Sequence, residues 1–244
     1  MLEATARAED RHFWFQGLRR NARLLLDEAL DGRRPARILD CGSGTGRNLD
    51  WLAVYGDAVG IEREPFGIQI ARAHSRRVVQ GTVAALPFAT SSIDLATSFD
   101  VLYCLEDDEE RAAVREMWRV LRPGGIALIN VAALDMLRGS HSTLTMERRR
   151  YTAARLTTLL NGAGFVVARM TFTNMMTFPL TFGVRLADRI TGRVHQASDA
   201  DLRVPAAPVN AVLSAAMAID GALLRMMNLP IGTSLMCVAR KTRA

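Results

Sequence analysis

At 244 residues, 49 % of them apolar, the chain has room for one α/β unit with an added segment around a sizeable core. The net charge of +6 comes almost wholly from scattered arginines, since Lys241 is the single lysine, and no aromatic-interleaved basic run accompanies them. That pattern argues against nucleic acid as a partner. Cys41, Cys104 and Cys237 have neither pairing nor metal-ligand spacing, so no metal site is expected and a reducing, cytoplasmic setting is favoured. The first seven residues lack the apolar stretch of a signal peptide.

Residues 11–30 read as an amphipathic helix or helix pair stopped by Asp31-Gly32. Ile38-Leu39-Asp40-Cys41 is an apolar run with an acid near its end, as in a buried strand. Gly42-Ser43-Gly44-Thr45-Gly46 follows, with glycine at every second position, and then a helix over 47–55. A second strand, 58–62, ends in Glu62, 22 residues beyond Asp40. Next come a helix over 64–74, strands 77–80 and 93–99, a helix over 108–120 and a strand over 125–131. A helix over 151–161, stopped by Gly162 and Gly164, leads into strand 165–171, and the last strand is 234–239. Short buried strands alternating with helices predict a parallel, doubly wound α/β sheet.

Glycines allow tight turns and close approach of the backbone to a ligand. Such a loop and a carboxylate at the tips of adjacent strands frame a crevice for a ribose-bearing ligand. Arg47 stands where a dinucleotide loop needs its third glycine, and the Gly-Lys-Ser/Thr of a P-loop is absent. The acid-x-Gly-x-Gly-x-Gly run instead resembles motif I of the class I S-adenosylmethionine-dependent methyltransferases. Leu86-Pro87-Phe88 with Ser92-Ile93-Asp94-Leu95 is similar to that family's run into strand four, and Leu121-Arg122-Pro123-Gly124-Gly125 to its turn into strand five. His12-Phe13-Trp14-Phe15 with Arg19-Arg20, and Leu229-Pro230-Ile231-Gly232-Thr233-Ser234, resemble the two ends of a type 11-like subgroup.

The resemblance implies a Rossmann-like, seven-stranded sheet with strand seven antiparallel between strands five and six, and S-adenosyl-L-methionine as methyl donor. Asp40, Gly42, Gly44 and Gly46 would then form the cofactor loop, and Glu62 would accept from the ribose hydroxyls. Arg63 would stack on adenine, with Val83 beside it and Thr82 where the family carries an acid for the adenine edge. Ser98-Phe99-Asp100 would border the methyl-donor end, and Arg19 would clamp the cofactor carboxylate. Tyr103 and His141 are the candidates for a catalytic base; Cys104 stands where similar sequences often carry histidine.

The expected organisation is one domain: a helical segment (1–35), a core (36–173), a helical insertion (174–231) and the last strand (232–244). In the insertion, Leu180, Val184, Ala187 and Ile190 share one helical face, and Val209, Val212, Leu213, Ala216, Leu223 and Met227 another, with a linker over 197–208. These helices are expected to cap the crevice, an arginine neutralising Asp220. Uncharged runs of 15 and 16 residues fall short of a bilayer span, which leaves peripheral membrane contact as the weaker alternative to a plain lid. The leading function is methyl transfer to oxygen or nitrogen of a small molecule, whether natural product, glycan or lipid-linked intermediate. A non-catalytic cofactor-binding scaffold is the alternative, on the strength of Thr82 and Cys104, and a nicotinamide oxidoreductase is disfavoured by Arg47. Oligomeric state is left open.

Overall fold

The computed structural model describes residues 2–138, 146–191 and 203–242. Seven strands, β1 (Arg37–Cys41), β2 (Asp57–Glu62), β3 (Val78–Gln80), β4 (Ile93–Phe99), β5 (Leu121–Ala132), β6 (Phe165–Thr173) and β7 (Ser234–Lys241), form one sheet. Their order is β3-β2-β1-β4-β5-β7-β6, with β7 antiparallel to both neighbours and the remaining pairs parallel. The order reverses between β1 and β4, and that switch point is where a crevice opens at the carboxyl ends of such a sheet.

Among the described residues the helices are α1 (Leu2–Ala8), α2 (Phe13–Leu30), α3 (Arg47–Leu52), α4 (Pro65–Ala73), α5 (Asp107–Val120), α6 (Ala153–Gly162), α7 (Phe178–Thr191) and α8 (Ala207–Leu224). α1 went unread in the sequence. α2 is one continuous helix: the His12 ring accepts the Trp14 N–H at 3.2 Å, and Asp31, left-handed at φ 48°, closes the far end. A reciprocal capping box between Glu106 and Glu109 opens α5. β5 starts four residues earlier than expected, at Leu121, because the Pro-Gly-Gly turn is absorbed as an irregularity in its pairing with β4.

Two apolar layers cover the sheet. One packs Leu25, Leu26, Trp51 and Leu52 of α2 and α3 on Ile38, Leu95, Leu128 and Met236. The other packs Val114 and Met117 of α5 and Leu156 and Leu160 of α6 on Leu39, Ala127 and Cys237. Cys41, Cys104 and Cys237 form no disulfide among the described residues.

The insertion departs from expectation in its direction. The predicted periodicity is real, but the apolar faces point outward: Leu180 and Ile190 of α7 and Val209 and Val212 of α8 are exposed. The buried face of α8 is instead Met217, Asp220, Gly221 and Leu224. Asp220 receives no arginine among the described residues; the Met176 N–H donates to its Oδ1 at 3.1 Å. Helix α8 also runs on through Asp220 to Leu224, and so becomes long and apolar enough, by length and composition, to cross a membrane. The expected linker falls largely outside the described residues.

Leu25 of α2 is 1 % exposed at the centre of its layer. Leu25→Ala is expected to lower the unfolding free energy by about 2–5 kcal/mol, read as a reduced urea midpoint at unchanged slope.

Candidate functional site

Above the switch point lies a cavity of about 600 Å³. The glycine loop forms its floor. Gly42, Gly44 and Gly46 adopt φ of 75°, 55° and 73°, a region closed to most side chains, and a Cβ on Gly42 would run into Val101. The loop is fastened to β2: the Gly42 and Ser43 N–H groups both donate to Ile61 O at 2.9 Å, and the Gly44 N–H donates to Glu62 Oε2 at 2.7 Å. Glu62 Oε1 accepts the Arg63 and Glu64 N–H groups, each at 2.9 Å. Three backbone donors therefore fix the carboxylate, leaving one of its roughly four acceptor positions for a ribose hydroxyl without displacing an amide.

This hydrogen-bond pattern discriminates between nucleotide ligands. A pyrophosphate is held by unspent backbone N–H groups at a glycine loop and helix start. Here the N–H groups of Gly42, Ser43 and Gly44 are committed within the protein, and that of Gly46 donates to Ser43 O at 2.8 Å. Nor does the loop offer a side-chain donor: Ser43 Oγ is buried with no hydrogen-bond partner and packs against Gly60 of β2. An uncharged sugar suits such a floor; a diphosphate does not.

The wall unites most of the residues picked from sequence: Arg19, Gly42, Gly44, Glu62, Arg63, Thr82, Val83, Phe99 and Tyr103 all line the cavity. Arg63 pairs with Glu64 at 3.3 Å, and Thr82 Oγ1 accepts the Ala84 N–H at 3.2 Å. Gly46 lies behind the wall, capping α3. Asp40 is buried beneath the loop at 1 % exposure, where its Oδ1 accepts the Thr97 hydroxyl at 2.7 Å and its Oδ2 has no partner. Burial, reinforced by Glu62, pushes the Asp40 carboxyl up to about 7 against the Thr97 hydrogen bond. Burial drives the Tyr103 phenol well above 10, so it stands as a neutral donor at physiological pH. His141 lies outside the described residues.

One wall residue, Glu9, escaped the sequence reading, and Asp100 was expected there only as a border of the methyl-donor end. Glu9, just after α1, is 7 % exposed, and the Thr45 hydroxyl lies 2.9 and 2.8 Å from its two carboxylate oxygens. Arg19 Nη2 donates to the Glu9 carbonyl at 2.6 Å, which sets an anion and a cation side by side on the wall. Nothing in the local sequence separates Glu9 from Glu3 or Asp10. Asp100 stands one step past β4, left-handed at φ 61°. Its N–H donates to Asn130 O at 3.0 Å, and Asn130 Nδ2 donates to its Oδ1 at 3.0 Å. Burial, with Glu147 adding to it, pushes the Asp100 carboxyl up to about 7; Asn130 and Arg150 oppose the shift. A strained, non-glycine residue held on a cavity wall points to function.

Fold and floor together define a Rossmann-like protein with a nucleoside site in place of a dinucleotide one. Residues 39–129 match the family model of a methyltransferase domain, and the curated relatives that overlap this core are named methyltransferases. A Mycolicibacterium smegmatis protein named "probable S-adenosylmethionine-dependent methyltransferase" is 33 % identical over 135 residues, covering 53 % of this chain and 52 % of its own. The demethylmenaquinone methyltransferase of a Roseiflexus species is 38 % identical over 118 residues, 44 % of this chain and 46 % of its own. The chain thus spans about half the length of the curated relatives it matches. Among solved structures, the Burkholderia thailandensis 1,6-didemethyltoxoflavin N1-methyltransferase, with its substrate and S-adenosylhomocysteine bound, shares the fold at TM-score 0.55 and 20 % identity, over 92 % of this chain and 78 % of that one.

A buried carboxyl raised to about 7 costs stability as pH climbs from its unfolded range near 4, because the folded state holds the proton longer. Asp40→Asn is therefore expected to gain on the wild type between about pH 4 and pH 7 and to hold a constant difference above that. Urea unfolding at a series of pH values reads this, and a pH-independent difference would place the ionisation elsewhere.

Proposed function

We propose that the protein transfers the methyl group of S-adenosylmethionine to a small-molecule acceptor. The observation that carries this reading is the floor of the cavity, with its glycine-loop amides spent on β2 and Glu62 lining a volume of about 600 Å³. The sulfonium supplies an electrophilic methyl, and the chain's own residues supply alignment and a dry site, worth on the order of 7–11 kcal/mol when reacting atoms are held ~3–3.5 Å apart.

Glu62 faces the ribose, and Thr82 and Val83 the adenine. At the other end an amino-acid zwitterion needs one anion and one cation. Arg19 takes its carboxylate and Glu9, held by Thr45, its ammonium. Asp100 serves the acceptor. With its carboxyl near 7 it takes a proton from a hydroxyl acceptor as that oxygen attacks, or hydrogen-bonds an amine that arrives neutral. Tyr103, kept neutral by burial, donates a hydrogen bond in place of acting as the base. The curated relatives overlap this chain over little more than the cofactor half, so their names support the donor and leave the acceptor to be found.

Calorimetry with S-adenosylhomocysteine tests the donor. Wild type is expected to bind, and Glu62→Ala to bind about 10–100-fold more weakly, the range for losing a hydrogen bond to a charged group. Wild type that binds NAD and leaves S-adenosylhomocysteine untouched would overturn the reading.

Release of S-adenosylhomocysteine against an acceptor panel tests Asp100. With a hydroxyl acceptor, Asp100→Asn should lower kcat by about 10²–10⁴ and remove an acidic limb near pH 7, leaving KM for the donor within a few-fold. With an amine acceptor the drop should be small. Donor binding without turnover on any acceptor would favour a scaffold in place of an enzyme.

A further inference from the structure

Helices α7 and α8 carry their polarity inside out. On α7, Thr181 and Arg185 line the cavity, whereas Leu180 is 60 % and Ile190 77 % exposed. On α8 the side turned to the protein holds the polar anchors. Asn210 Oδ1 accepts the Phe13 N–H at 3.0 Å, Asn210 Nδ2 donates to Arg11 O at 2.9 Å, and Asp220 accepts the Met176 N–H. The outward side presents Val212 at 70 % exposure, Ile219, and beyond the helix Met226 at 84 %. A core helix of this composition would be mostly buried, yet only 22 % of α8 is. Its anchored face also prevents it from threading a bilayer while the domain is folded.

We propose that this apolar helical layer docks the protein flat on the surface of a bilayer containing anionic lipid. An interfacial helix lays its apolar face into the headgroup boundary and is strengthened by basic residues at its margin. Charge selects the occupant. From residue 203 to residue 232 the exposed charges are Arg203 and Arg225, one beyond each end of α8, while Asp220 is buried; on α7, Asp188 is paired with Arg185 at 3.5 Å. A basic rim around an apolar face attracts anionic headgroups and repels a second copy of the same face.

Vesicle flotation of the full chain tests this, comparing phosphatidylcholine alone with phosphatidylcholine–phosphatidylglycerol. Wild type should float with the mixed vesicles and far less with the neutral ones. Val184→Glu/Val212→Glu should reduce the bound fraction about tenfold or more, with far-UV circular dichroism and thermal midpoint unchanged. Arg203→Glu/Arg225→Glu, which leaves the apolar face intact, should remove the preference for anionic vesicles and gives a second readout if the first variant does not fold. Wild type that fails to float, or flotation indifferent to both variants, overturns the proposal. So does a concentration-dependent dimer that Val184→Glu/Val212→Glu dissolves without any flotation, which would assign the layer to a second copy. None of these outcomes depends on S-adenosylhomocysteine binding, so this proposal and the methyltransferase reading stand or fall separately.

Discussion

Two neighbouring acceptors at the tip of β2, the Ile61 carbonyl and the Glu62 carboxylate, hold the whole site in place. Between them they take the N–H groups of Gly42, Ser43 and Gly44, so the loop after β1 cannot move without breaking hydrogen bonds to β2. Close approach of loop and strand is possible because Gly60 lies against Ser43, where a Cβ would collide with the serine side chain. One arrangement therefore sets three properties together. It closes the loop to phosphate, aims the Glu62 carboxylate at the crevice, and buries Asp40 beneath the floor.

Burying Asp40 has an electrostatic consequence. A second carboxylate ionised under the loop would repel Glu62, which the structure needs charged to bind three amides. Burial answers this by raising the Asp40 carboxyl to about 7. A second raised carboxyl lies across the cavity. Asp100 is raised by burial near Glu147, whereas Glu147 itself is clamped by Arg150 at 2.6 and 3.0 Å. Burial thus brings both Asp40 and Asp100 into the range where a carboxyl can exchange a proton at neutral pH.

The strands and the glycine floor were legible in the sequence because strand periodicity and paired glycines are local signals, whereas the antiparallel seat of β7 came only from the family resemblance. Glu9 was not legible, and of Asp100 only its place at the end of β4 was. Asp100 matters through a left-handed backbone that no composition announces and through Asn130, 30 residues away. Glu9 matters through Thr45, 36 residues away. Helix α3 ends three residues short of its predicted end, a boundary error of ordinary size. The error in the insertion is of another kind. Periodicity showed that Val209 and Val212 share a face, but nothing local says whether a face meets the core or the solvent. That direction was decided by Asn210 and Asp220, polar residues that bind backbone groups of other segments and so turn the apolar side outward.

Such an inverted pair of helices cannot owe its position to burial of its own apolar stripes. Met217 and Leu224 give α8 a modest apolar seat on α2; the specificity of its docking comes from Asn210 on the backbone around residue 12 and from Asp220 on the start of α7. Since α7 contributes Thr181 and Arg185 to the cavity wall, whatever covers its outer face also braces the inner one. Taking Leu180, Val184 and Ile190 out of water would stabilise the helix that carries Thr181 and Arg185, while the glycine floor keeps its own hold on β2.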